Sequence, residues 1–443
     1  MSKPVVAIVG RPNVGKSSLF NTLYGERISI VHDTPGVTRD RIYANATWRE
    51  REFVMIDTGG IEPENGDQIL QGMRLQAEIA IETADVILFM CDIKSGLTAA
   101  DEEIAVMLRK AHRPVVVAVN KVDHVGNPPP EIYEFYNLAL GDVIPISASH
   151  RLGIGDLLDA IFENFPAEDE EDNDSETIKV ALIGKPNAGK SSLTNKMTGE
   201  NRSIVSDVPG TTRDSIDSYV ENEYGKFTIV DTAGMRKKGK IEDAIEKYSM
   251  VRALSSIEKA SVCVILIDAT VGVTEQDTKV AGIAHNAGKA CIFAINKWDL
   301  IDKETGTLEA MTRIMKDRFS FMDYAPIIFI SAKTGQRVDK LFKTITEVHE
   351  QAGRRLKTGV FNDMLNEAVA MVPTPQDKGR HLKIYYGTQV ATNPPTFALF
   401  VNDKELSHFS YERYLENQIR KNFGFEGTPI RFFLRNKNRS DEE

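Results

Sequence analysis

The sequence predicts two consecutive α/β domains with doubly wound, mostly parallel sheets, followed by a smaller α+β domain. Its 443 residues suit about three domains at ~150 residues each. A motif-rich stretch near the N-terminus recurs at a constant offset of 174 residues, as Gly10 and Gly184 illustrate. Within each copy, short β-branched runs such as Val5 to Val9 and Val115 to Val119 alternate with stretches of helical periodicity. This alternation indicates parallel strands that are buried on both faces by helices.

The repeat and the composition set the predicted domain boundaries. The first copy spans residues 1–165, the second spans residues 178–350, and the linker between them, residues 166–177, is strongly acidic. Because like charges repel, we expect this linker to be solvated and flexible. Residues 351–443 lack the repeat and carry 14 Lys and Arg against 11 Asp and Glu, whereas residues 1–350 carry 40 against 53. A basic C-terminal domain therefore follows an acidic body.

The composition excludes several classes of protein. Apolar runs such as Val262 to Ile267 are far shorter than the ~18 residues of a membrane-spanning helix. The N-terminus has no signal-peptide pattern. Cys91, Cys263 and Cys291 are widely separated in apolar stretches, which favours buried free thiols in a reducing compartment over disulfides or a metal site. We therefore expect a cytoplasmic protein that is not an integral membrane protein.

Each copy carries a loop of the pattern G-x-x-x-x-G-K-[ST] between a strand and a helix. The backbone N–H groups of such a loop point at a phosphate, and the N-terminus of the helix adds positive potential. Lys16 and Lys190 are expected to reach the β- and γ-phosphates, while Ser17 and Ser191 would supply a hydroxyl to Mg²⁺. The other loop residues are Gly10, Arg11, Pro12, Asn13, Val14 and Gly15, and Gly184, Lys185, Pro186, Asn187, Ala188 and Gly189.

A D-x-x-G motif ends another strand in each copy. Asp57 and Asp231 stand where a carboxylate can bind Mg²⁺ near the γ-phosphate, although a lone strand-end Asp more often caps a turn. Gly60 and Gly234 can offer a backbone N–H to the γ-phosphate because no side chain intervenes. The residues that complete or follow the motif are Thr58, Gly59 and Ile61, and Thr232, Ala233 and Met235.

An N-K-x-D motif predicts which base is bound. Its residues are Asn120, Lys121, Val122 and Asp123, and Asn296, Lys297, Trp298 and Asp299. A carboxylate at Asp123 or Asp299 can accept hydrogen bonds from the N1–H and 2-amino groups of guanine, whereas adenine would leave the charge unpaired. The site should therefore prefer GTP to ATP. In the Ser147-Ala148 and Ser331-Ala332 loops, we expect the backbone of Ala148 and Ala332 to donate to guanine O6.

Taken in order, these motifs resemble those of a translation-factor-class GTPase. Two such domains and a basic C-terminal domain resemble the Der (EngA) family of double-GTPase ribosome-assembly proteins over essentially the whole chain. The resemblance implies two tandem P-loop GTPase domains and a KH-like domain that bind GTP or GDP with Mg²⁺ and act on the large ribosomal subunit and its RNA. It also assigns Thr38 and Thr212 to Mg²⁺ coordination and γ-phosphate sensing, although from the residues alone either is only a polar loop residue. We expect a monomer.

One departure from signalling GTPases bears on the predicted mechanism. In place of the glutamine that orients the attacking water, the chain has Ile61 and Met235, which cannot form the needed hydrogen bond. We therefore predict slow intrinsic hydrolysis, with the water oriented by backbone, a monovalent cation or a partner. Asn13 and Asn187 resemble asparagines that bind K⁺ in related GTPases, and the alternative is that they make local turn bonds.

Basic residues after the second D-x-x-G motif form a further feature, absent from the first copy: Arg236, Lys237, Lys238 and Lys240. They are interpreted either as a solvated surface or as a segment that touches RNA phosphates in one nucleotide state.

The C-terminal pattern predicts the element order α-β-β-α-β, which resembles a KH-type RNA-binding fold. Apolar residues alternate from Leu382 to Val390, and the first helix should stop near Pro373. The G-x-x-G string that starts at Gly424 follows a helix, so Gly424 is better interpreted as a helix C-terminal glycine than as part of a nucleic-acid clamp. The basic residues of the last strand could face phosphate, or the domain could pack on the GTPase body; they are Arg431, Arg435, Lys437 and Arg439.

The leading hypothesis is a GTP-hydrolysing switch in assembly of the large ribosomal subunit, whose two sites gate its interaction with ribosomal RNA. An alternative is a nucleotide-gated membrane-surface protein. This alternative is disfavoured because the sequence shows neither a basic amphipathic helix of the right kind nor a lipidation motif. A third makes the first site hydrolytic and the second a nucleotide sensor. Both sets of motifs are complete, so the sequence leaves this third possibility open.

Overall fold

The computed structural model describes most of the chain, and its described residues form two compact units. The first α/β domain and residues 245–258 belong to one unit, and the second α/β domain and the C-terminal domain belong to the other. The described residues are 3–25, 43–49, 51–61, 69–111, 113–123, 129–166, 177–200, 217–230, 245–302, 304–377 and 379–437.

Several predicted features lie outside the described residues. They include most of the acidic linker and the basic cluster after the second D-x-x-G motif. The individual site residues outside are Thr38, Thr212, Asp231, Thr232, Ala233, Gly234, Met235 and Arg439.

The first α/β domain has a six-stranded sheet in the order β2-β3-β1-β4-β5-β6, in which only β2 runs antiparallel to its neighbour. Helices cover two separate apolar clusters, one on each face of the sheet. The carboxyl ends of β1, β3 and β5 carry the three motifs. The elements are β1 (Val5–Gly10), α1 (Lys16–Gly25), β2 (Tyr43–Trp48), β3 (Arg51–Asp57), α2 (Ile69–Thr83), β4 (Val86–Asp92), α3 (Ala99–Lys110), β5 (Val115–Asn120), β6 (Val143–Pro145) and α4 (Ile154–Glu163).

The second α/β domain repeats this topology, with the sheet order β12-β11-β10-β7-β9-β8 and β8 antiparallel to β9. The predicted doubly wound, mostly parallel sheets are therefore confirmed in both copies. The elements are β7 (Thr177–Ile183), α5 (Lys190–Glu200), β8 (Ser218–Asn222), β9 (Gly225–Ile229), α6 (Ile245–Lys259), β10 (Val262–Asp268), α7 (Glu275–Asn286), β11 (Ala290–Asn296), α8 (Thr307–Arg318), β12 (Ile327–Phe329) and α9 (Val338–Gly353).

Helix α6 packs against the first α/β domain, which its sequence does not predict. Residues up to Glu258 belong to the unit of the first α/β domain, and buried Val251 joins an apolar cluster of that domain. The Arg252 guanidinium pairs with Glu82 on α2, with 3.1 Å between Nε and the carboxylate, and Ser255 Oγ donates to the Thr83 carbonyl across 3.0 Å. The helix that follows the second D-x-x-G motif thus contacts its counterpart in the first copy.

Apart from an additional two-stranded hairpin, β13 and β14, the C-terminal domain has the predicted α-β-β-α-β order, with a three-stranded sheet in the order β15-β16-β17. Strand β16 pairs antiparallel with β15 and parallel with β17. The predicted helix end near Pro373 is confirmed, because α10 ends at Met371. The elements are α10 (Thr358–Met371), β13 (Gln376–Asp377), β14 (Arg380–His381), β15 (Ile384–Ala391), β16 (Thr396–Val401), α11 (Phe409–Phe423) and β17 (Arg431–Asn436).

The predicted alternation along β15 is wrong from Tyr386 onward. The pairing of β15 with β16 shifts register between Ile384 and Tyr386, and a bulge inserts one extra residue. Leu382 is buried as expected, but Tyr386 and Val390 are exposed.

The C-terminal domain packs on the second α/β domain through the G-x-x-G segment. Gly427 N–H donates to the Tyr324 carbonyl across 2.8 Å, and the Gly427 carbonyl accepts from Cys291 N–H across 2.6 Å. Phe425 is fully buried, and Gly424 has φ +86 after the last turn of α11, as the helix-end interpretation predicts. The alternative that this domain packs on the GTPase body therefore describes this segment correctly. Among the described residues, no helix is long and apolar enough to cross a membrane.

Candidate functional site

The two phosphate-loop lysines make the same contacts in both copies. Lys16 Nζ donates to the carbonyls of Gly10 and Arg11 across 2.6 and 2.9 Å. Lys190 Nζ donates to the carbonyls of Gly184 and Lys185 across 2.6 and 2.8 Å. Each amine therefore lies across its own loop, where both lysines were predicted to meet the β- and γ-phosphates.

Asn13 and Asn187, the predicted K⁺ ligands, both adopt left-handed backbone with φ +65 and are exposed. The loops also contain Pro12 and Pro186, and they end in exposed Ser17 and partly buried Ser191. Asparagine tolerates left-handed backbone better than most residues. The two phosphate loops therefore share a left-handed residue at the same position.

The asparagine of N-K-x-D ties three motifs together. Asn120 Nδ2 donates to the Val14 carbonyl across 2.8 Å, and its Oδ1 accepts from Ala148 N–H across 2.9 Å. The second copy repeats both distances with Asn296, Ala188 and Ala332. The N–H groups predicted to contact guanine O6 thus hold the asparagine here. Sequence reasoning missed this bridging role, although the recurrence of Asn at both positions was visible.

The same bridge explains why the phosphate loop needs its second glycine. A Cβ added to Gly15 would lie 2.2 Å from Asn120 Nδ2, and the backbone there has φ +101. Gly189 has the same φ and the same 2.2 Å distance to Asn296 Nδ2. Only glycine fits between the loop and the base-binding strand without displacing the asparagine.

The first D-x-x-G motif brings oxygen atoms together beside the phosphate loop. Ser17 Oγ donates to Asp57 Oδ2 across 2.9 Å, and the other carboxylate oxygen of Asp57 accepts from Gly59 N–H. Thr58 is buried and donates to the Ile8 carbonyl. A hydroxyl and a carboxylate are the hard oxygen donors that Mg²⁺ prefers, so these residues fit the predicted ion. The turn from Thr58 to Ile61 carries Gly60 directly after them.

Asp123, the carboxylate predicted to select guanine in the first copy, is ionised and already paired. Asp123 accepts from Lys94 Nζ across 2.9 Å and from Ser147 Oγ across 2.8 Å. The hydrogen bond from Lys94, followed by that from Ser147, lowers the pKa of Asp123 below its ordinary value. The carboxylate therefore stays an acceptor, as selection of guanine requires.

The lysines of both N-K-x-D motifs are paired with carboxylates outside their motifs. Lys121 Nζ donates to Asp92 Oδ2, and Lys297 Nζ donates to Asp268 Oδ2, both across 2.6 Å. The third motif residues, Val122 and Trp298, are buried and anchor the loop, while Asp299 is partly exposed.

One charged difference separates the copies, and the motifs do not reveal it. The residue that corresponds to Lys94 is Thr270, whose Oγ1 donates to Asp268 across 2.6 Å. Burial lowers the pKa of Lys190 to about 8. The two sites therefore share a scaffold but not a charge distribution.

A buried aspartate at the start of the next helix also differs between the copies. Arg11 Nε donates to Asp101 Oδ1 across 2.9 Å, and Asp101 caps α3. In the second copy, Asp277 caps α7 in the same way, but its Oδ1 has no hydrogen-bond partner within the described part of the chain. Lys185 stands in the sequence where the first copy has Arg11, which is a signal that the sequence alone could have supplied.

Comparison with known proteins agrees with this geometry. Residues 5–121 and 179–297 match the family described as "50S ribosome-binding GTPase". Residues 355–435 match "KH-domain-like of EngA bacterial GTPase enzymes, C-terminal".

Full-length relatives carry one name. GTPase Der of Acetivibrio thermocellus is 63% identical over 437 residues, 99% of each chain, and GTPase Der of Ruminiclostridium cellulolyticum is 61% identical over 441 residues, 100% of each. The solved structure of Era from Aquifex aeolicus with GDP·AlF4⁻ has 26% identity and a TM-score of 0.30, covering 56% of this chain and 88% of that one. Because the motifs, their geometry and the full-length relatives agree, the chain belongs to the GTPase Der family of GTP-binding, GTP-hydrolysing proteins.

Proposed function

We propose that this GTPase is a cytoplasmic, monomeric switch in assembly of the large ribosomal subunit, and that its two sites gate its interaction with ribosomal RNA. The observation that carries the proposal is the duplicated bridge of Asn120 and Asn296, which joins phosphate loop and base-binding loop in both copies. A bound nucleotide would touch both loops at once, so its loss or hydrolysis can alter each domain. The family description "50S ribosome-binding GTPase" supports the choice of particle.

The site residues divide the proposed chemistry among themselves. Lys16 and Lys190 would bind the phosphates, and the Asp123 and Asp299 carboxylates would select guanine. Ser17 and Asp57 would hold Mg²⁺ in the first site, and an ion there would neutralise charge on the β- and γ-phosphates. Ser191 and Asp231, with Thr38 and Thr212, complete the proposed metal ligands.

Slow intrinsic hydrolysis is part of the proposal because Ile61 and Met235 cannot orient water. Gly60 and Gly234 would donate backbone N–H groups to the γ-phosphate. Asn13 and Asn187, whose backbone is left-handed, would bind K⁺, and the charge of that ion would stabilise the transition state. GTP turnover that is faster in K⁺ than in Na⁺ is expected, and equal rates would contradict this part of the proposal.

Co-sedimentation tests the proposed particle and the gating. The full chain is mixed with purified large subunits in the presence of GDP or a nonhydrolysable GTP analogue, with small subunits and anionic lipid vesicles as controls. We expect the analogue to increase binding to the large subunit alone, and Lys16→Ala or Lys190→Ala to reduce that increase. Equal binding with both nucleotides would contradict gating, and binding to vesicles alone would favour the membrane-surface alternative.

A further inference from the structure

The C-terminal sheet has one face buried in the domain and an opposite face, here called the open face, that is exposed at Tyr386 and Phe433 although Thr396 and Ala398 of β16 on it are buried. Phe397, Leu399 and Val401 of β16 point into the core of the domain. Side chains at the positions between them, and at the paired positions of β15 and β17, lie on the opposite face. In register across that face, Tyr386 pairs with Phe400, and Phe400 pairs with Arg435.

Aromatic rings are exposed on this open face. The bulge in β15 leaves two consecutive tyrosines exposed, Tyr385 at 40% and Tyr386 at 42%, and Phe433 is 55% exposed. The rings of Tyr386 and Phe400 stack with centroids 4.3 Å apart and planes 12° from parallel. This stack is held by two neighbouring strands, so a flat ligand would meet an ordered aromatic surface.

Positive charge surrounds these rings. Lys383 Nζ and Lys437 Nζ each lie 5.1 Å from the centroid of the Tyr385 ring. Exposed Arg435 is adjacent to Phe400 across the sheet. The strands β15, β16 and β17 contain no Asp or Glu. The three strands therefore combine aromatic planes with cations on this face and contribute no carboxylate to it.

We propose that this open face binds single-stranded RNA by stacking unpaired bases on Tyr386 and Phe433, with Arg435 and the two lysines contacting phosphates. Aromatic residues on a sheet accept bases of any sequence, and nearby Lys and Arg supply the electrostatic attraction. This surface differs from a G-x-x-G clamp, because the Gly424 to Gly427 segment is packed on the second GTPase domain. The proposal rests on the proposed function for its choice of RNA, and it adds the binding face and the single-stranded class of RNA.

Fluorescence anisotropy of the full chain with a labelled single-stranded RNA of about eight uridines tests the proposal. We expect Tyr386→Leu and Phe433→Leu each to weaken binding ~5- to 100-fold, the range for loss of one base–aromatic stack. Phe409→Leu is the matched control, because Phe409 is 69% exposed at the start of α11 and lies off the sheet. Arg435→Gln should lower the slope of log affinity against log salt by about 0.7. A duplex RNA of the same length should bind more weakly than the single strand.

Each outcome bears on the proposal. It is overturned if the full chain binds single and double strands equally or not at all, or if the sheet variants behave like Phe409→Leu while their circular dichroism remains native. Should Tyr386→Leu fail to fold, Phe433→Leu decides alone. Failure here, together with nucleotide-dependent binding to the large subunit, would leave the proposed function standing. Loss of oligonucleotide binding in the variants, without any subunit binding, would refute the proposed function alone.

Discussion

The contact between Gly15 and Asn120 yields a prediction with a matched control. In Gly15→Ala, the new Cβ would lie 2.2 Å from Asn120 Nδ2, so the asparagine must move. Asn120 is only 3% exposed and makes two hydrogen bonds, of 2.8 and 2.9 Å. Breaking both costs about 2–6 kcal/mol, at ~1–3 kcal/mol for each buried group left unpaired. The positive φ adds ~1–3 kcal/mol.

Gly141→Ala isolates the backbone contribution. Gly141 has φ +99, close to the +101 of Gly15, but a Cβ there would meet no atom within 4 Å. We therefore expect Gly15→Ala to lower the free energy of unfolding of the first domain by about 2–6 kcal/mol more than Gly141→Ala does. Hydrogen exchange in urea, followed by mass spectrometry of peptides from β1 and β5, measures this difference. Peptides from β7 and β11 should not change.

A double-mutant cycle sharpens the assignment to Asn120. Because Gly15→Ala already displaces the asparagine, adding Asn120→Ala should cost much less than it does in the unmodified chain. Additive effects, or equal losses for Gly15→Ala and Gly141→Ala, would refute the reasoning that glycine is required there by the asparagine bridge.

Three further predictions address the remaining contacts. GTP binding at the second site should weaken by up to about tenfold per pH unit above pH 8, because Lys190 loses its proton there. Lys190→Arg should remove this pH dependence, since arginine stays charged. Titration calorimetry with the first site inactivated measures the affinity, and an affinity that does not change with pH would contradict the prediction. In Lys185→Arg, the new guanidinium should pair with the buried Oδ1 of Asp277 and raise the free energy of unfolding of the second domain by ~1–3 kcal/mol. Urea denaturation measures this change, and an unchanged free energy would mean that the oxygen already has a partner. Arg252→Ala should speed hydrogen exchange in α2, because the helix loses its ion pair with Glu82. Exchanging the two residues, as Arg252→Glu with Glu82→Arg, should restore part of the protection. Unchanged exchange in Arg252→Ala would refute the contact.

Sequence patterns predicted the repeated fold because both the strands and the loops obey local rules. Runs such as Val86 to Met90 can only be buried strands in an alternating α/β chain, and each phosphate loop follows one directly. The element order of the C-terminal domain was readable for the same reason. Periodicity failed at Tyr386, since a bulge changes which face a residue occupies without changing the composition of the strand.

Contacts between distant parts of the chain were not predictable from local patterns. The position of α6 beside α2 depends on Val251 and Arg252, which in the sequence are ordinary residues of an amphipathic helix. The pairing of Lys94 with Asp123 joins residues that follow two neighbouring strands, and no motif includes Lys94. Such pairs become visible only when the strand order is known.

Among the described residues, the two nucleotide sites share the asparagine bridge and differ in charge where Lys94 is replaced by Thr270. The asparagine bridges agree in both distances, so each phosphate loop is joined to its base-binding loop in the same way. Guanine bound as proposed in the first site would compete with Lys94 for the Asp123 carboxylate. In the second site Thr270 stands at the position of Lys94 and donates to Asp268, which is the counterpart of Asp92. A charge beside the repeated bridge changes the affinity for the nucleotide without changing which base is selected. Unequal affinities of the two sites are therefore the expected consequence of residues that lie outside every motif.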